Sequence, residues 1–119
     1  MRPSVAVALM FAFMATTAPA VEQPVLIIPE SAGAQCVEAT SVMRTQHMKL
    51  LFAQRDQTVH QGIRSTTHSL TNCVACHANR DAMGHSIPIN GNDQFCESCH
   101  RYAGVRMDCF ECHASVPDE

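Results

Sequence analysis

The chain has 119 residues and a formal charge of -3 at pH 7, with eight Lys and Arg scattered among eleven Asp and Glu. Without a basic run or stripe there is no electrostatic footprint for nucleic acid. The length allows one domain, and a domain of about a hundred residues is marginal when its core must come from side chains alone. There is no Trp, a single Tyr (Tyr102) and five Phe, of which Phe11 and Phe13 lie near the N-terminus, so something other than aromatic side chains must fill the interior.

Residues 1–20 read as an export signal. Arg2 gives a short basic start, Val5 to Ala15 is an apolar run, and Ala18-Pro19-Ala20 is a small-residue cleavage pattern. The run is shorter than the roughly 20 residues of a spanning helix, which favours cleavage after Ala20; the alternative is an uncleaved signal kept as a membrane anchor, aided by the apolar stretch Val25 to Pro29. Residues 21–35, punctuated by Pro and Gly and without periodicity, read as an extended tether. Residues 36–119 are expected to form the domain.

Within that domain, Thr40 or Ser41 is placed to cap a helix running to about Arg55, with Met43, His47, Leu50 and Leu51 on one face and Met48 with Phe52 on a flank. Gly62 to Asn72 reads mostly as loop, and Pro88 to Asn92 as a turn separating short helical segments. No strand pattern is convincing. The expectation is a mainly α fold with long loops.

Six of the seven Cys fall in three copies of one pattern: Cys73-Val-Ala-Cys76-His77, Cys96-Glu-Ser-Cys99-His100 and Cys109-Phe-Glu-Cys112-His113. This C-x-x-C-H spacing is the attachment site of c-type haem. Two thiols three positions apart reach the two vinyl groups on one porphyrin edge and form thioethers, and the adjacent His binds iron from the proximal side. A closed zinc site takes four ligands, and three pairs each followed at once by His would strand ligands in every partition. A disulfide framework does not explain the recurring His. Export also suits haem, because c-type attachment takes place outside the bacterial cytoplasmic membrane. Three covalent haems would supply the apolar core that the composition lacks, and the expected architecture is a mainly α, small multihaem cytochrome c fold whose core is that haem cluster.

The motifs use His77, His100 and His113 as proximal ligands and leave His47, His60, His68 and His85. Each iron takes a sixth ligand or keeps an open position, and that choice sets its potential. His47 is the strongest distal candidate by its place on the apolar face, against the plainer reading of a packed core His. His68, five residues before Cys73, is next; His60 and His85 lie in polar, loop-like contexts that suit solvated side chains. Met43 shares the His47 face and Met48 flanks it, although Met on an apolar stripe more often only packs. Met107 reads as core. Cys36 is the one Cys outside a motif. Its options are a thiolate ligand to haem, a free thiol, or a bridge to another chain.

The segment from Cys36 to Met48, with its M-R-x-x-H-M string, followed by Arg55-Asp56, Gly62-Ile63-Arg64, His68-Ser69-Leu70 and the three motifs ending at His113-Ala114, resembles the DsrJ-type periplasmic triheme cytochrome c subunits of the membrane-bound Dsr redox complex of dissimilatory sulfur metabolism. The resemblance implies three differently ligated haems, of His/His, His/Met and His/Cys type. It matches Cys36 to the unusual Cys ligand and narrows the distal His to His47 or His68 and the Met to Met43 or Met48. It further implies quinone-interacting and iron–sulfur partner subunits, a periplasmic and membrane-associated location, and electron transfer as the main role. The alternative is sulfur-compound redox catalysis at the Cys-ligated haem, which would need an open or displaceable iron position.

Overall fold

The computed structural model describes residues 22–29, 32–33 and 35–118. The expected export signal, and residues 21, 30, 31 and 34 of the expected tether, lie outside the described residues. Residues 22–29 have no regular structure, and Val25, Ile27 and Ile28 are exposed. From there the architecture is helical. Helix α1 spans Thr40–Gln61, α2 Leu70–His77 and α3 Phe95–Tyr102, and a 3-10 turn covers Cys109–Glu111. Among the described residues there is no strand, only an isolated antiparallel bridge between Arg80 and Ser86. No helix among them is long and apolar enough to cross a membrane.

Helix α1 is longer than the periodicity suggests. Its polar last turns continue past Arg55 to Gln61, where Gly62 adopts the left-handed conformation (φ 69°) and its N–H donates to Thr58 O at 3.1 Å. That is the usual helix stop, and Gly reaches it without the Cβ penalty other residues meet. His60 therefore sits in the last turn of a helix rather than in a loop, where a basic side chain complements the helix dipole. The N-terminal expectation also needs correction: Ala39 is the N-cap and makes no side-chain cap bond, while Thr40 is already helical. Thr45, one turn in, instead bonds back to the Ser41 carbonyl at 2.9 Å. The following loop ends at Ser69, three residues earlier than Asn72, because α2 begins at Leu70.

The core is small and lies among the three motifs. Val74, Ala78 and Ile89 are its buried apolar residues, with Leu70, Phe95, Cys96 and Phe110 packed around them. Val74 is the second residue of the first motif, Cys96 the first of the second, and Phe110 the second of the third. One residue of each C-x-x-C-H segment, a variable position in the first and third and the leading Cys in the second, thus takes part in the packing that ties the segments together. Ser98, inside the second motif, is buried too and donates from Oγ to the Gln94 carbonyl at 2.9 Å.

Ile89 closes this arrangement. It sits in the expected turn, which forms: Gly91 N–H donates to Pro88 O at 2.8 Å, and a Cβ at Gly91 would lie 3.0 Å from that oxygen. The side chain of Ile89 is nevertheless only 1% exposed. Its N–H donates to the Ser115 carbonyl at 2.8 Å, which draws the C-terminal segment beyond the third motif back onto the core.

Ile89→Ala is expected to destabilise the chain by about 2–5 kcal/mol, the usual cost of truncating a buried aliphatic side chain. Gly62→Ala should cost about 1 kcal/mol through the left-handed backbone alone, since nothing lies within 4 Å of the added Cβ. Denaturant melts of the two variants check both values, and a larger loss for Gly62→Ala than for Ile89→Ala would contradict this view of the core.

Candidate functional site

Each C-x-x-C-H segment is carried on a helical turn. In α2, Cys73 and Cys76 are three residues apart and so share a face, and His77 closes the helix. In α3, Cys96, Cys99 and His100 repeat the arrangement. In the third motif the 3-10 turn starts at Cys109, and His113 N–H donates to Cys109 O at 3.0 Å, holding the two Cys and the His in one tight loop. None of the seven cysteines is paired in a disulfide. Arg106, exposed, pairs with Asp108 at 2.8 Å and with Glu111, bracketing that loop.

The thiols of the separate motifs lie within electrostatic reach of one another. Burial, and after it the charges of Cys73, Cys109 and Cys99, pushes the Cys96 thiol up to about 12. Burial likewise raises Cys73, with Cys36 and then Cys76 adding to the effect. A thiolate is disfavoured where these sulfurs sit. A neutral thioether would carry no such penalty, so the burial of Cys73 and Cys96 suits covalently attached haem.

The proximal histidines are suited to the same group. Burial lowers the pKa of His77; burial, and secondarily the nearby His47, lowers that of His100. Both are thereby favoured as neutral imidazoles, the form that binds metal. The Nδ1 atoms of His77 and His100 are buried without a hydrogen-bond partner, and an unpaired buried polar atom costs about 1–3 kcal/mol. The ring of His77 stacks on Phe95 at 3.9 Å with 16° between planes, so the first proximal His leans on the first residue of the second motif's helix.

The distal candidates come to different motifs. His47, half-buried on α1, lies edge-to-face with His100 at 5.9 Å between ring centroids, and its Nδ1 donates to Met43 O at 2.8 Å. Met48 and His68 line one cleft of about 530 Å³ together with Cys109 and His113 of the third motif. Leu51, Phe52 and Leu70 give the cleft apolar walls, and Arg55 and Arg64 are its basic residues. His68 has positive φ (57°), and its Nε2 bonds Glu38 Oε1 at 3.0 Å, fastening the segment after Cys36 to the loop before α2. Cys36 itself is exposed, and Cys73 feels its charge.

The remaining sequence candidates lie outside the lining of this cleft. Met43 is half-buried and supplies the backbone oxygen that orients His47, but it is not among the residues lining the cleft, whereas the flanking Met48 is. His85 is exposed beside Asp81 at 3.3 Å, as its loop context suggested. Met107 is half-buried. Among the described residues no three His, Cys, Asp or Glu converge on one point. Haem iron needs only two axial donors from the protein, because the porphyrin supplies the rest.

Sequence reasoning passed over Phe95, Glu38 and Arg64 as neighbours of the site. Phe95, next to Cys96, was accessible from spacing alone; Glu38 meets His68 from 30 residues away, and no local pattern reveals such a pair.

No family model matches the chain, and no solved structure matches it. Among curated proteins it is similar to one from Archaeoglobus fulgidus named "Hdr-like menaquinol oxidoreductase cytochrome c subunit", with 32% identity over 88 residues. The match takes in 72% of this chain and 60% of the relative, less than two thirds of the relative's own length. The likeness is thus to a cytochrome c subunit of an oxidoreductase, the same class of protein to which the C-x-x-C-H segments point.

Proposed function

We propose that the chain is an exported triheme c-type cytochrome that transfers electrons as a subunit of a membrane-bound redox complex. The observation that carries this reading is the set of C-x-x-C-H segments packed on one core through Val74, Cys96 and Phe110. Cys73 and Cys76, Cys96 and Cys99, and Cys109 and Cys112 hold the haems, and His77, His100 and His113 are the proximal ligands. Bound haem supplies one-electron chemistry between ferric and ferrous iron. The protein's part is to attach and orient each group, keep the proximal imidazoles neutral and set the distal donors. Those donors are drawn from Cys36, His47, His68 and one of Met43 and Met48.

The partners follow from the same reading. The relative's name supports a quinol-linked complex, and the resemblance to DsrJ-type subunits supports a finer assignment: periplasmic, associated with quinone-interacting and iron–sulfur subunits, and serving sulfur metabolism. The N-terminal segment would either be removed after Ala20 or hold the domain at the membrane surface. A second reading, sulfur redox catalysis at a Cys-ligated haem, is favoured by the exposure of Cys36, since a small sulfur compound could approach it from solvent.

Intact mass of the protein expressed with a working haem-attachment pathway is expected to show three covalent haems, and fewer than three would overturn the triheme reading. Cys36→Ser should remove one low-spin ferric signal from the paramagnetic resonance spectrum and leave the haem count unchanged. Alkylation of Cys36 in the native oxidised protein, or survival of all the low-spin signals in the variant, would show that this thiolate is not a ligand.

A further inference from the structure

We propose that His47 and His100 are the two axial ligands of a single haem iron, the one attached through Cys96 and Cys99. The inference rests on the cytochrome reading above and deepens it by pairing a distal donor with a motif, which C-x-x-C-H spacing does not do.

The two rings come from distant parts of the chain, His47 from the middle of α1 and His100 from α3, and meet at 5.9 Å between centroids with 72° between planes. Metal–imidazole bonds of roughly 2 Å on each side of an ion would set two ring centres about 6 Å apart. The observed separation would therefore suit a pair holding one metal between them. His100 is already placed by its motif as the proximal ligand, so the ring facing it is the natural source of the sixth bond.

The hydrogen bonding of His47 fits that role. Its Nδ1 donates to the Met43 carbonyl one turn earlier on α1 at 2.8 Å. This fixes the tautomer, leaving the Nε2 lone pair for a metal, and it anchors the ring by the kind of backbone contact that commonly orients metal-bound histidine. The other histidines outside the motifs are differently disposed. His68 commits Nε2 to Glu38 at 3.0 Å and lies in the cleft of the third motif. His85 is an exposed partner of Asp81, and His60 is exposed in the last turn of α1. Helix α1 thus approaches the second motif through His47 and the third through the flanking Met48 and Phe52. Without a shared iron, the same contact would be only the edge-to-face packing of two rings.

Paramagnetic resonance of the oxidised triheme protein tests the pairing. His47→Ala is expected to turn one low-spin haem high-spin, and added imidazole should restore the low-spin signal. Cys96→Ala with Cys99→Ala, which removes the second haem, should delete that same signal, after which His47→Ala should change nothing further. The pairing is overturned if His47→Ala leaves every low-spin signal intact, or if it still converts a haem in the chain lacking Cys96 and Cys99. Should the double Cys variant not accumulate, His47→Met and His100→Met are compared in the intact chain. A shared iron requires both to move the same spectral component, and movement of different components contradicts the proposal. Intact mass separates the two levels of failure: fewer than three haems on the parent chain defeats the cytochrome reading, whereas three haems with a signal insensitive to His47 defeats only the pairing.

Discussion

The packing of Cys96 and Phe110 against the buried Val74, Ala78 and Ile89 is the contact on which the rest of the structure depends. Each C-x-x-C-H segment is carried on a helical turn too short to be stable by itself, and the buried apolar residues in the described part of the chain are few. By placing a motif residue in the shared core, the chain makes the position of one attachment site depend on the others. The stacking of His77 on Phe95 extends the coupling from the first proximal ligand to the second motif's helix. A protein built this way is expected to gain much of its stability from the groups it binds, because covalent haem adds apolar area where side chains are scarce.

Helix α1 is the second element of the design. Its half-buried face contains Met43, His47, Met48, Leu50 and Leu51, and none of its residues is fully buried. On the proposed reading, the candidate iron donors of α1, His47 and one of Met43 and Met48, lie on this face among the apolar positions. The Glu38–His68 contact and the hydrogen bond from Ile89 to Ser115 draw the two ends of the domain towards the same cluster. Electron transfer through a small protein benefits from such convergence, since cofactors held on one core are held close together.

Much of this was legible in the sequence because the chemistry is local. Three C-x-x-C-H segments, the apolar face around His47 and the turn at Pro88 to Asn92 can all be read within a few residues. The end of α1 was missed because its last turns, from Asp56 to Gln61, are mostly polar and break the apolar period, although Gly62 marked the stop. Ile89 was missed as core because Pro, Asn and Gly around it signal a turn, and a turn residue becomes buried only through distant contacts such as that with Ser115. The approach of Met48 and His68 to the third motif and of His47 to the second depends on how α1 folds back, which periodicity does not encode. The candidate attachment segments could therefore be read directly, whereas which motif each distal candidate approaches needed the fold.

The central claim is that three redox centres are built into this one chain. Coulometric reduction of the purified oxidised protein measures it most directly, with the haem absorption bands followed in parallel. The account predicts three electrons taken up per chain and haem that stays with the polypeptide on acid extraction. Uptake of fewer electrons, or haem released by the acid, would contradict it.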